Sequence, residues 1–210
     1  MASLFLFTPN KPPCRIISYM SNIEKIVVAT RNLSKIIRFG RLLSGIAEQV
    51  ISLGELGISE KPKETGETAE ENAGIKAIFY VRATALPVLS EDESLFVDFL
   101  PASQQPGVHV RRINQKDDVS DDELLAYWEA LVAAAPTEKR RGHWHVAYCL
   151  ATPTGQTKTI SLDHPIMFFS PSSKIRLPGW PTSSLQGPVV FGKPDSELTE
   201  EERKEKDKRA

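Results

Sequence analysis

The chain is short of cysteine: Cys14 and Cys149 are the two it has in 210 residues, and neither belongs to a CxxC pair. A framework of several disulfides is excluded, and so is a zinc site of the usual cysteine spacing. Cys149 lies in the run Trp144-His145-Val146-Ala147-Tyr148-Cys149-Leu150, which reads as a buried, reduced thiol. A reducing compartment, the cytoplasm, fits that reading. No apolar run approaches the roughly 18 residues that a membrane-spanning helix needs. Net charge is nearly absent as well, at −1. That balance gives no electrostatic reason to expect non-specific binding to nucleic acid or to a membrane, so any chemistry on anions must come from a local site. Walker-type phosphate loops, dinucleotide-binding glycine fingerprints and nucleophile elbows are missing too.

What is present is enough apolar sequence, 40%, for one sizeable core. Met1 to Asn22 differs in kind: it lacks acids, carries Lys11 and Arg15, and holds the short apolar run Leu4-Phe5-Leu6-Phe7. It reads equally as a targeting peptide or as an over-long start, with Met20 just before the first patterned strand. Residues 23–210 are expected to form a single domain, with the first 22 as an extension.

Ile26 to Thr30 reads as a β-branched strand, followed by a helix with Asn32 and Ser34 at its start and Ile36, Phe39, Leu43 and Ile46 at helical spacing. Val50 to Leu53 follows as a strand and Glu60 to Glu67 as a polar loop. A second helix is expected to start after Thr68 and run to about Ala83. Two β-like runs, Leu86 to Leu89 and Leu95 to Leu100, come next with three acids between them. Ser120 to Ala135 reads as a third helix, and His143 to Ala151 with Thr157 to Leu162 as a hairpin around Pro153-Thr154-Gly155. Pro165 to Pro194 is rich in Pro, Ser and Gly, and Glu197 to Arg209 is almost wholly charged. The class these elements imply is α/β, with a mixed sheet and flanking helices.

Four segments have the residue types for chemistry. Thr30-Arg31-Asn32-Leu33-Ser34-Lys35 joins a strand to a helix, whose N-terminus is a natural seat for an anion. A lysine in the first helical turn opposes the helix dipole, so Lys35 makes more sense with a phosphate as its counter-charge; an ordinary cap with a solvated lysine is the other reading. In Glu64-Thr65-Gly66-Glu67-Thr68-Ala69-Glu70-Glu71-Asn72, Thr68 and Glu71 have capping-box spacing, while Glu71 or Glu70 can also face a metal. Glu91-Asp92-Glu93 stands between apolar runs, either as a polar turn or as an oxygen-rich cluster suited to Mg²⁺. Arg111 and Arg112 follow the turn Pro106-Gly107-Val108 and are able to clamp phosphate or to lie on an exposed edge. His143 and His145 share one face of a strand, where a structural or solvent-facing role is expected.

The order and spacing of these pieces carry more than any one of them. Thr30-x-Asn32-x-x-Lys35, Glu64-Thr65-Gly66, Glu71-Asn72-Ala73, Ile75-Lys76-Ala77, Leu86-Pro87, Asp92, Val97-Asp98, Pro106-Gly107-Val108 and the late Ser196-Glu197-Leu198 closely resemble the inosine/xanthosine triphosphate pyrophosphatase family. The resemblance runs from about Lys25 to Ala210 and is strongest before Arg112. It implies a long, mixed, curved sheet with two lobes around a nucleotide cleft, and a homodimer. It implies hydrolysis of non-standard nucleoside triphosphates (ITP, dITP, XTP) to monophosphate and pyrophosphate, by Mg²⁺-dependent attack of water on the α-phosphorus. Carried over by residue, Thr30, Asn32 and Lys35 hold the triphosphate, Glu71 and Asp92 position Mg²⁺, Asp92 orients or deprotonates the water, and Arg112 or Arg111 completes the phosphate clamp.

The departures are concentrated. Arg31 stands where the family has glycine, and Glu93 where it has a serine hydroxyl. The family's Gly-Phe-Gly-Tyr-Asp-Pro stretch, whose aromatic stacks on the base, is replaced by Leu177-Pro178-Gly179-Trp180-Pro181, in which Trp180 offers an alternative ring face. The terminal Ser-His-Arg becomes Asp207-Lys208-Arg209, so that Arg209 alone matches. The phosphate end looks retained and the base end rebuilt. The same chemistry on another modified nucleotide, or a nucleotide-binding protein without turnover, are the alternatives this leaves.

Overall fold

The computed structural model describes residues 23–114, 116 and 119–209; the expected N-terminal extension lies outside them. Six strands are found among the described residues, in the order β2-β1-β3-β4-β5-β6. β1 (Ile23–Val28) is parallel to both β2 (Ala47–Ser52) and β3 (Val88–Val97), while β4 (Arg141–Ala151), β5 (Thr157–Phe168) and β6 (Gln186–Pro188) continue antiparallel. The two parallel pairings require crossovers, which α1 (Leu33–Leu42) and α2 (Ala69–Thr84) supply. α3 (Asp121–Ala134) precedes the β4–β5 hairpin, and α4 (Glu200–Arg209) ends the chain. The mixed sheet with flanking helices is the class expected from the sequence.

Period-two alternation splits the core between the sheet's faces. Ile26, Val28, Leu89, Tyr148 and Leu150 pack with Phe39 and Leu43 of α1. Val27 and Val88 pack with Tyr80 of α2, and Ala147, Cys149 and Ala151 with its Ala69, Ala73 and Ala77. Those small residues let α2 lie close to the sheet, and the Ser90 hydroxyl donates to the Ala73 carbonyl at 2.5 Å. Farther along the strands, Leu95, Val97, Ile166 and Phe168 form a separate core with Leu124, Leu125, Trp128 and Val132 of α3. Cys149 is fully buried, and burial pushes its thiol pKa up, as expected for an inert free thiol.

The first two strands each begin three residues earlier than expected, at Ile23 and Ala47, and three larger differences have a clear cause. The runs Leu86–Leu89 and Leu95–Leu100 are not two strands around an acidic turn. One ten-residue strand passes straight through Glu91-Asp92-Glu93. The acids do not break it because lysine and arginine side chains from the helices on both faces meet them, as described below. α1 stops at Leu42 rather than running on to Ile46, since Gly45 turns the chain with φ +81° and β2 begins at Ala47. The hairpin extends to Phe168, because β4 pairs with β5 along its whole length, Arg141 opposite Met167.

Candidate active site

The site forms where β1 hands over to α1. The Thr30 hydroxyl accepts from Asn32 N at 3.2 Å, and the Asn32 carbonyl oxygen Oδ1 accepts from Lys35 N at 3.4 Å. These two bonds bend the chain out of the sheet and into the helix. Arg31 turns elsewhere: its guanidinium donates to the carbonyls of Ile58 and Glu60 at 3.0 and 2.9 Å, tying down the polar loop. Where a glycine would leave space, this chain has a brace.

On the α1 face of β3, Glu91 and Glu93 point the same way, two residues apart. The Lys35 ammonium lies 3.0 Å from Glu91 Oε1 and 3.2 Å from Glu93 Oε1, and Arg38 bonds the other oxygen of Glu91. The Glu91 side chain is 1% exposed and that of Glu93 33%. Burial pushes the Glu93 pKa up, but the charges of Lys35 and Arg38 outweigh it and hold the carboxyl below its usual value. The counter-charge that the sequence assigned to a phosphate is supplied here by the chain's own acids.

Asp92 points to the opposite face. Its Oδ1 is 2.5 Å from the Lys76 ammonium of α2, which also meets Glu64 Oε2 at 3.3 Å. Burial raises the Asp92 pKa, with Lys76 opposing and Glu64 reinforcing the rise. Glu71 belongs to the helix start. It accepts from Glu67 N and Thr68 N at 2.7 and 3.3 Å, while the Thr68 hydroxyl accepts from Glu71 N at 3.2 Å, a complete capping box. The carboxylate brought beside Asp92 is that of Glu64, to which the sequence reading gave no role. Its loop is held by Asn72, whose amide bonds both the N–H and the C=O of Gly66, at 2.8 and 3.3 Å. A Cβ on Gly66 would stand 2.6 Å from Glu71 Cβ. The Glu-Thr-Gly run with an asparagine six residues after the glycine was the available signal.

Thr30, Asn32, Lys35, Asp92, Arg111, Arg112 and Trp180 all line one cavity of about 560 Å³, together with Glu64 and Lys76. Arg111 donates to Val119 O at 2.5 Å and to Asp121 at 3.0 Å, anchoring the loop before α3. Trp180 has the Lys206 ammonium of α4 4.7 Å from its ring centroid, and Lys206 also pairs with the buried Asp195. A second cavity of about 450 Å³ shares Glu93, Trp144 and Trp180 with the first. Arg209 ends α4, and its side chain lies outside the described residues. The two histidines stay apart from the cleft: His143 stacks on Phe96, and His145 is clamped between Asp163 at 2.6 Å and Glu70 at 2.7 Å. Among the described residues, no group of three or more histidine, cysteine and acidic side chains is placed to hold a metal, and no helix is long and apolar enough to cross a membrane.

A mixed sheet with acids on both faces of its central strand, capped by a helix start and rimmed by arginines, defines an α/β protein with a charge-lined cleft able to take a polyanion. The family follows from comparison. Residues 26–163 match the Ham1 family. The chain is 39% identical to a dITP/XTP pyrophosphatase of Mesorhizobium japonicum over 137 residues, covering 63% of this chain and 61% of that relative. It is 32% identical to a dITP/XTP pyrophosphatase of Brucella melitensis over 185 residues, 85% of this chain and 81% of the relative. Its fold is similar to the crystal structure of a nucleoside-triphosphatase, dITP/XTP pyrophosphatase, from Mycobacterium abscessus, with a TM-score of 0.66, 27% identity, and 88% and 94% of the two chains covered. The chain belongs to the Ham1 family.

Proposed function

We propose that this protein hydrolyses non-standard purine nucleoside triphosphates, of the dITP and XTP class, to the monophosphate and pyrophosphate. The observation that carries the proposal is the position of Asp92. It is a carboxylate with a raised pKa, on the central strand, facing the cavity that Thr30, Asn32, Lys35, Arg111 and Arg112 also line. Its family membership and the named activity of its relatives support the same reading.

Phosphoryl chemistry needs positioning and charge neutralisation more than covalent steps. In this reading the first turn of α1 and Lys35 receive the phosphate chain, and Arg111 and Arg112 close on it from the opposite rim. Asp92 orients the attacking water and takes its proton, a role favoured by a carboxyl whose pKa lies above the ordinary aspartate value. Mg²⁺ suits the oxygen donors present, since it takes one or two carboxylates plus substrate phosphates. Asp92 and Glu64, which already share one cation in Lys76, are the residues that would hold it. When bound, the ion would neutralise phosphate charge and polarise the phosphoryl oxygens. Glu71 supports the site by capping the helix that carries Lys76. The second cavity leaves room for the base beside Trp180. The same reading makes residues 23–210 one domain of a cytoplasmic homodimer acting on free nucleotides.

The test is pyrophosphate release from purified protein with Mg²⁺, across ITP, XTP, dITP and the standard triphosphates. Release from ITP, dITP or XTP well above ATP and GTP is the expected result. Release only from another nucleotide keeps the chemistry and overturns the specificity, and binding without release overturns the enzyme.

A further inference from the structure

The acid at position 93 stands 3.2 Å from Lys35, the cation assigned above to the phosphate chain. Glu91 and Glu93 both reach Lys35, but they are held differently. Glu91 is almost completely buried and shared with Arg38, so it is a fixed part of the α1–β3 contact. Glu93 is one-third exposed and lines the cavity together with Lys35. Lys35 itself is 24% exposed, in the first turn of α1, where the unpaired helix N–H groups also favour negative charge. A carboxylate oxygen at this place makes the same charge-assisted contact with Lys35 that a phosphate oxygen would.

The charge around the cavity adds to this. Six lysine and arginine side chains line it (Arg31, Lys35, Lys61, Lys76, Arg111 and Arg112) against four carboxylates, Glu64, Glu91, Asp92 and Glu93. Glu64 and Asp92 are engaged with Lys76, and Glu91 divides its two oxygens between Lys35 and Arg38. Of the two carboxylates on Lys35, Glu93 is the exposed one, and Lys35 is the cation it meets. We propose that Glu93 is an internal competitor for phosphate at Lys35, closing on the ammonium when no phosphate is bound and yielding it to a pyrophosphate group that arrives. The inference rests on the reading of the cavity as a polyphosphate site. Its consequence is that Glu93 weakens the hold on pyrophosphate and helps it to leave, because Lys35 always has a carboxylate to return to.

The experiment is isothermal titration of the full chain with inorganic pyrophosphate in excess Mg²⁺, for the parent, Glu93→Gln, Lys35→Met and the double variant. Glu93→Gln keeps the shape and removes the charge. It is expected to bind pyrophosphate about fivefold more tightly than the parent, the size of a partly exposed ion pair. In the Lys35→Met background, the gain is expected to shrink to less than half. Equal or weaker binding by Glu93→Gln overturns the proposal, as does a gain that persists undiminished without Lys35, or no binding by any form. Glu93→Ser and a thermal unfolding curve for each variant separate these results from loss of fold. A Glu93→Gln chain that binds pyrophosphate more tightly yet hydrolyses no triphosphate keeps the competition and sinks the enzyme reading instead.

Discussion

The two faces of β3 treat the same kind of side chain in opposite ways. On the α1 face, Glu91 and Glu93 meet two cations, Lys35 and Arg38, and the Glu93 carboxyl is held below its ordinary pKa. On the α2 face, Asp92 meets one lysine that it shares with Glu64, and burial leaves its pKa raised. One peptide unit separates the two environments. What decides between them is the ratio of cations to carboxylates that each covering helix brings, set against the cost of removing a carboxylate from water. The balanced face braces the fold, and the under-compensated face has a carboxylate in a costly ionised state of the sort that proton-transfer chemistry uses.

The comparison breaks most readily at Asp92. Asp92→Asn is expected to lower pyrophosphate release about a thousandfold while nucleotide binding survives. Because burial already disfavours the charged form, the thermal midpoint of this variant should be no lower than the parent's. A variant that keeps its turnover and unfolds earlier would reverse the assignment of the two faces. Glu91→Gln addresses the other face. Removing one partner of a buried ion pair strands Arg38, so denaturant titration should show a loss of about 3 kcal/mol. A loss no larger than that of the one-third exposed Glu93→Gln would show that burial does not separate the two acids. Gly66→Ala tests whether the Asp92 face depends on the loop that brings Glu64. A Cβ there collides with Glu71 and Asn72, and turnover should fall about tenfold through misplacement rather than through lost charge.

The smallest expected effect lies at His145, at the edge of the α2 face. Its hydrogen bond to Glu70, with a further one to Asp163, raises its pKa against the opposing effect of burial. A folded-state pKa above the unfolded value means the stabilisation is fully present below the unfolded value, near 6.5, and is lost as pH rises through the folded one. His145 is partly exposed, and Asp163 largely so, hence the contribution is roughly 0.5 kcal/mol after screening. His145→Gln should therefore narrow the stability difference between pH 6 and pH 9 in parallel unfolding titrations. An unchanged difference would remove the clamp from the account of how α2 is held.

The starts of α2 and α3 are local devices: the sequence shows a capping-box spacing at Thr68 and Glu71, and a helix opening at Ser120. Thr68 with Glu71 and Ser120 with Glu123 carry capping boxes in four residues each, and the structure forms both. The two-strand reading of residues 86–100 failed for the opposite reason. Three adjacent acids look like a turn when the chain is read alone, and only Lys35, Arg38 and Lys76, from 16 to 58 residues away, make a strand of them. Glu64 was missed in the same way, since its position depends on Asn72 gripping Gly66 across the start of α2. At the other end of the cavity, Trp180 is visible in the sequence as an isolated aromatic, but its contact with Lys206 is made only when α4 packs back against α1.

By itself, then, the sequence determined what is written in short range: the mixed α/β class from its periodicities, the helix starts from their caps, the buried thiol, and the family from motifs in series. Tertiary structure decided which acids face which cations, which carboxylate joins Asp92, and where the charge that answers Lys35 comes from. The physical reason is range. Capping and alternation act over a few residues of one segment, whereas the environment of a carboxylate is set by burial and by charges that separate segments bring within about 4 Å of it.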